Sequence, residues 1–253
     1  MSENVQFDTL KGQVAIVVGG SGGIGSETCR LLARAGATVV IGYRSGEARA
    51  REIAEALPGR GHIALRVSIE DTSSIQTFCA AALSACGRAD ILVNAAGVTK
   101  PVPHADLDAL TDEIIDQVFV SNWRGVFATI RAFAPALAEH GQGLIVNVSS
   151  IAAFTGIGSN IAYCGAKAGL DIMTNSLGRA LAPAVRVMAI SPGVVDTEFV
   201  PGRGQEFKDK AAAATPLKRL TTPTDVAEAI LACATHLKFS TGTRIVVDGG
   251  RHL

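Results

Sequence analysis

Tyr163 and Lys167 stand four residues apart in AYCGAKAG, a spacing that puts both side chains on one face of a helix. A phenol with its ordinary pKa of about 10 shuttles protons poorly at neutral pH. An ammonium beside it favours the phenolate and makes general acid/base work feasible. Chance produces this pair often, so its weight depends on its company. Ser149 and Ser150 close the apolar run LIVNVS, NAAG (94–97) closes another, and ISPG (190–193) ends a third. SNWRG supplies Asn122 inside a long helical stretch. If the three runs are parallel strands, their ends share one edge, where doubly wound sheets bind ligands.

A different chemistry is written in VVGGSGGIGSE (17–27). A glycine-rich turn between a strand and a helix lets backbone N–H groups approach a pyrophosphate, and the helix N-terminus adds orphan donors. Gly20, Gly22 and Gly25 fit G-x-G-x-x-G, while Gly19, Gly23 and Gly25 fit G-x-x-x-G-x-G. The turn alone does not choose between them. At the end of the next strand, where an NAD site places a carboxylate on the ribose 2′-hydroxyl, the chain has Tyr43, Arg44 and Ser45. Nothing there repels a 2′-phosphate and Arg44 can pair with one, which favours NADP(H) over NAD(H).

Positioning these groups requires a sheet. Residues 14–18, 38–42, 62–67, 91–96, 144–149, 186–191 and 243–249 read as seven strands, apolar throughout rather than alternating, as in a parallel sheet covered on both faces. Helical periodicity fills most of the intervals, with Gly36 and Gly87 where C-terminal glycines belong. The expected fold is α/β, a Rossmann-type doubly wound parallel sheet forming a single domain over 1–253. Residues 197–222 interrupt the alternation and read as a mobile helical flap over a ligand.

Composition narrows the classes further. Lys plus Arg and Asp plus Glu are equal at 23 each, leaving no basic footprint for nucleic acid. No apolar run is long enough to cross a membrane, no signal peptide is evident, and the five cysteines lack metal or disulfide spacing, so a reduced cytoplasmic chain without metal is expected.

Taken together the motifs resemble the short-chain dehydrogenase/reductase family, in its single-domain branch of about this length, from Lys11 to Gly250. The resemblance implies a catalytic set of Asn122, Ser150, Tyr163 and Lys167. Tyr163 would be the acid/base, Lys167 would hold the nicotinamide ribose and lower the Tyr pKa, and Ser150 would bind the substrate oxygen with Ser149 as structural neighbour. Asn122 would anchor a water leading from Lys167 to solvent. The resemblance also selects the G-x-x-x-G-x-G register, so Gly19, Ser21, Gly23, Ile24 and Gly25 form the cofactor turn and Gly20 and Gly22 read as loop filler. Tyr43, Arg44 and Ser45 would meet the ribose 2′ position, and Ser68 and Ile69 would lie beside the adenine. Ala95 and Gly97 would line the adenosine side, and Asn94, counted with the cofactor residues, would brace the sheet centre. Pro192, Gly193, Val195 and Thr197 would receive the carboxamide. Val18 and Ser68 depart from the family's Thr and Asp.

The implied function is NADP(H)-dependent interconversion of a ketone and a secondary alcohol, with a small-molecule substrate. The alternative is 3-oxoacyl-[acyl-carrier-protein] reduction, and a non-catalytic NADP sensor is a third reading. Few cations in 138–143 and 182–185, expected beside the cleft, argue against a carrier, although Arg203, Lys208 and Lys210 could compensate. Ile151, Phe154, Ile157, Asn160 and His104 are pocket candidates. The resemblance further implies a homotetramer built on the helices near 112–139 and 162–181.

Overall fold

The computed structural model describes residues 8–197, 199–200, 202 and 204–253. Seven parallel strands form one sheet: β1 (Val14–Val18), β2 (Thr38–Tyr43), β3 (Ile63–Arg66), β4 (Ile91–Asn94), β5 (Gly143–Val148), β6 (Val185–Pro192) and β7 (Thr243–Val247), in the order β3-β2-β1-β4-β5-β6-β7. The order reverses between β1 and β4, whose C-terminal ends therefore flank an open crevice. Successive residues of β1 serve opposite faces. Ala15 and Val17 pack toward α1 (Gly23–Arg34) and α9 (Pro223–Thr235), while Val14, Ile16 and Val18 join the cluster containing α3 (Thr72–Cys86) and α5 (Gly125–Ala138). Both-face burial holds for the inner strands; β3 and β7, at the edges, are only partly covered.

Three helical features escape the periodicity. The stretch from 112 is not one α-helix but α4 (Asp112–Phe119), a π-helical turn (Val120–Arg124) and α5. A four-residue helix, α6 (Ala152–Thr155), follows Ser150 directly. Helix α9 has its signal in TPTD: Pro223 at the first turn and a reciprocal capping box between Thr222 and Asp225. Between β6 and α9 lies α8 (Gln205–Ala214), within the segment read as a flap. The remaining helices are α2 (Glu47–Ala56) and α7 (Ile161–Ala180). Gly36 and Gly87 both take positive φ at helix ends, as expected. Among the described residues no helix is long and apolar enough to cross a membrane.

Candidate active site

The glycine turn is shaped by backbone contact. A Cβ on Gly25 would lie 2.1 Å from Gly19 O, so α1 rests directly on the turn. A Cβ on Gly19, whose φ is +83°, would lie 2.7 Å from Ala96 N, across the crevice at the β4 exit. On Gly23 it would meet Thr197 Cγ2 at 2.7 Å. Gly20, read as filler, is not: its Cβ would sit 2.9 Å from Ile41 Cγ2 and 3.0 Å from Val17 O. That close packing of turn on sheet is invisible in the spacing of glycines. Gly22 alone is roomy, with Gly19 O at 3.4 Å, and it caps α1 without a side-chain bond, leaving the helix's first N–H groups to a ligand. The cradle fits a dinucleotide pyrophosphate.

Tyr43 closes β2 with its side chain buried, whereas Arg44 and Ser45 beyond the strand are exposed. Arg44 reaches Glu70 Oε1 at 3.4 Å, and the same oxygen accepts from Ser121 Oγ at 2.8 Å. Ser68 donates its N–H to Ser74 Oγ at 2.9 Å, fixing the Ser68–Ile69 turn against the start of α3. Asn94 is buried and donates to Asn147 Oδ1 at 3.0 Å; Asn147 donates onward to Thr174 Oγ1 at 3.0 Å. This polar chain braces β4, β5 and α7 through the core. Asn147 escaped the sequence reading, although a lone Asn inside LIVNV was a usable signal.

The end of β5 carries the rest. Ser149 N–H donates to Ile190 O at 2.7 Å and Ile151 N–H to Pro192 O at 3.0 Å, so the Ser149–Ser150 corner is held on β6. Ser150 Oγ accepts from Ala152 N–H at 3.1 Å. Helix α7 begins at Asn160, whose side chain accepts from Tyr163 N–H at 2.7 Å and donates to Lys100 O at 2.8 Å. Lys167 is buried and donates to Val148 O at 2.8 Å, with its Nζ 5.6 Å from the Tyr163 ring centre. Burial pulls its pKa down to about 8. Asn122, in the π turn, donates to Val98 O at 2.8 Å and Val118 O at 2.9 Å. Its Oδ1 is buried without a partner among the described residues, facing the place of a Gly97 Cβ at 2.6 Å.

Gly193 packs against Asp248 Cβ, and Val195 bridges Thr221 in parallel. Phe199 comes within 6.2 Å of the Tyr163 ring. Among the pocket candidates, Ile157 is exposed, but Asn160 is the fully buried cap of α7 and Phe154 packs on His252 and Arg244. His104 Nε2 is buried without a partner among the described residues. Residues 138–143 and 182–185 precede β5 and β6, hence lie on the opposite edge of the sheet from the cleft. Their lack of cations therefore says nothing about a carrier.

Known proteins resemble this chain over nearly its whole length. The family model described as Enoyl-(Acyl carrier protein) reductase matches residues 18–252. A Streptomyces violaceoruber protein named as a granaticin polyketide synthase ketoacyl reductase is 36% identical, covering 97% of this chain and 98% of its own. The cis-4-hydroxycyclohexanecarboxylate dehydrogenase of Sinomonas cyclohexanicum is also 36% identical, covering 94% and 96%. The crystal structure of 3-ketoacyl-(acyl-carrier-protein) reductase from Brucella melitensis, complexed with NADH, superposes with a TM-score of 0.87 at 32% identity, covering 96% of this chain and 100% of that one. The chain belongs to the short-chain dehydrogenase/reductase family, oxidoreductases that interconvert C=O and CH–OH with a nicotinamide cofactor.

Proposed function

We propose that the chain is one catalytic domain that uses NADP(H) to interconvert a free ketone and its secondary alcohol, with 197–222 as a flap over the substrate. The observation that carries this reading is the buried Lys167 ammonium beside Tyr163 at the C-terminal edge of the sheet. When bound, the nicotinamide supplies or accepts hydride at its C4 carbon. In reduction, Ser150 and Tyr163 hydrogen-bond the carbonyl oxygen, stabilising charge that grows in the transition state. Tyr163 passes its phenolic proton to that oxygen. Lys167 stabilises the phenolate left behind and holds the ribose. The open amide oxygen of Asn122 is the acceptor for a water that carries a replacement proton inward. Gly19, Ser21, Gly23, Ile24 and Gly25 would cradle the pyrophosphate, Ser45, Ser68, Ile69, Ala95 and Gly97 the adenosine side, and Pro192, Gly193, Val195 and Thr197 the carboxamide.

Arg44 supports the choice of NADP(H). Its contact to Glu70 is long and exposed, so a 2′-phosphate can displace it at little cost. The cations of α8 pair within their own surface, Lys208 with Asp196 at 2.6 Å and Lys210 with Glu206 at 2.7 Å. Exposed pairs of this kind are also displaced at little cost, so they do not decide between a free and a carrier-bound substrate. Arg203 lies outside the described residues. A carrier-bound 3-oxoacyl substrate is the second reading, favoured by the names of the relatives. The test follows NADPH and NADH oxidation against free ketones and 3-oxoacyl-carrier thioesters, with Arg44→Ala alongside. Turnover of free ketones with NADPH is expected, and Arg44→Ala should weaken NADPH about 10- to 100-fold while sparing NADH. Turnover confined to carrier thioesters would favour the second reading, and NADPH binding without any turnover would favour a sensor.

A homotetramer is supported by an apolar row on the outer face of α4, the π turn and α5. Phe119, Trp123 and Phe127 are each more than a third exposed, and Ile161 and Ile172 of α7 are exposed as well. Trp123 stacks on Phe127 at 6.1 Å. A row of this kind marks an association surface. Trp123→Asp should lower the mass read by light scattering from four copies to two or one; an unchanged tetramer would reject this surface. The five free cysteines suit a reducing, cytoplasmic compartment.

A further inference from the structure

The helix face that carries Tyr163 and Lys167 continues one turn further to Asp171, a buried carboxylate with no part in the chemistry above. Its Oδ2 accepts from Arg244 of β7 at 3.2 Å. Its Oδ1 is buried with no hydrogen-bond partner among the described residues, although the Ser149 hydroxyl faces the same carboxylate. Arg244 in turn lies 4.4 Å from the centre of the Phe154 ring, on the short helix that follows Ser150. A carboxylate buried with only the Ser149 hydroxyl and one long contact from Arg244 beside it is costly to the fold, and an apolar side chain of similar size would cost less. The carboxylate has a use other than stability.

Lys167 supplies that use. Burial works against its ammonium, and Asp171 is the charge that opposes this. Other charged groups on the elements packed against α7 are turned elsewhere. Asp112, Glu113 and Asp116 of α4 are exposed. Arg124 of the π turn donates to Glu70 O, and Arg186 of β6 donates to the carbonyls of Leu237, Ser240 and Cys233. Helix α6, AAFT, has no ionisable side chain. On β7, Arg244 faces Asp171 and, with the Ser149 hydroxyl, favours its charged form, while burial pushes the carboxyl pKa up.

We propose that Asp171, kept charged by Arg244, is a positioning residue that holds Lys167 as an ammonium throughout the pH range of catalysis. The inference rests on the role given to Lys167 above. A neighbouring carboxylate raises the pH at which an ammonium loses its proton, so removing it lets the proton leave at lower pH. Removing Arg244 acts by another route to the same end, because Asp171 then takes up a proton itself.

The test measures two quantities across about pH 6 to 10: NADPH affinity by fluorescence titration, and the alkaline limb of kcat/KM for carbonyl reduction. In Asp171→Asn both should move down by about one pH unit or more. Arg244→Met should move them the same way, the double variant should go no further than Asp171→Asn, and Asp171→Glu should recover part of the shift. Unmoved limbs in a folded Asp171→Asn, or additive shifts in the double variant, would overturn the inference. If Asp171→Asn does not fold, an unmoved limb in Arg244→Met overturns it equally. Lys167→Met separates the two levels. Wild-type behaviour there rejects the role of Lys167 itself, whereas an inactive Lys167→Met beside unmoved limbs in the other variants rejects only the part given to Asp171.

Discussion

Tyr163→Phe will keep the fold and NADPH affinity of the parent chain and lose about a thousandfold in turnover. The substitution removes one hydroxyl from a half-buried ring at the cleft. The ring's place is fixed by backbone, through the Asn160 cap on Tyr163 N–H, and that bond survives. On the proposed roles, what disappears is the proton donor and one of the two hydrogen bonds to the carbonyl oxygen, leaving Ser150 to polarise it alone. The remaining rate comes from orientation and from Ser150. Stopped-flow turnover, NADPH titration and a thermal melt on one preparation check the three parts. Turnover near the parent value would remove Tyr163 from the acid/base role. Catalysis by the parent should hold at lower pH and fall as pH rises through about 8, where Lys167 gives up its proton.

Gly25→Ala has the second large effect, on cofactor binding. The new methyl would lie 2.1 Å from Gly19 O and 2.8 Å from both Gly19 C and Gly20 Cα. All three are backbone atoms, so no rotamer relieves the clash, and α1 and the turn must part by about 1 Å. That movement withdraws the N–H groups of the helix start from the phosphates and overpacks the turn against β2. NADPH affinity should fall about 100-fold, with a stability loss of about 1–3 kcal/mol. Gly22→Ala is the control: its Cβ meets only Gly19 O at 3.4 Å, and φ is −80°, open to any residue. Parent-like NADPH binding by Gly25→Ala would reject the glycine turn as the cofactor cradle, whereas a loss in Gly22→Ala as large as that in Gly25→Ala would reject the register built on Gly19, Gly23 and Gly25.

Much of this was legible because it is local. Strands β1 to β7 announce themselves as short apolar runs within a residue or two of their observed ends. Tyr163 and Lys167 share a face because four residues make about one helical turn. The spacing of motifs places Ser150 and Asn94 on one edge once the strands are parallel. What stayed hidden is long-range. Arg244 and Asp171 are 73 positions apart and Asn94 and Asn147 are 53 apart; no periodicity relates them. Gly20 looked spare because the pattern cannot show Ile41 pressed against it. The loops at 138–143 and 182–185 were set beside the cleft by their neighbourhood in the chain, when each lies a whole strand length from the working edge. Asn160 read as a pocket residue because capping and lining both favour a polar side chain before a helix.

The π turn at Val120–Arg124 bears on what the chain can survive by way of length change. Within those five residues the backbone ladder slips by one position, Gly125 N–H reaching back to Val120 O. The slip absorbs one extra residue: the aromatic row at 119, 123 and 127 stays partly exposed while Asn122 is buried and donates to Val118 O with its own amide. Deleting one of the five would restore a regular helix with its two halves in nearly their present phase, because five residues of a π turn sweep about the same angle as four of an α-helix. What would go is the local slip in which Gly125 N–H takes Val120 O while the Asn122 amide serves Val98 O and Val118 O. Point substitutions at exposed positions such as Arg124 leave this slip untouched. The slip is thus forgiving in its letters and strict in their number.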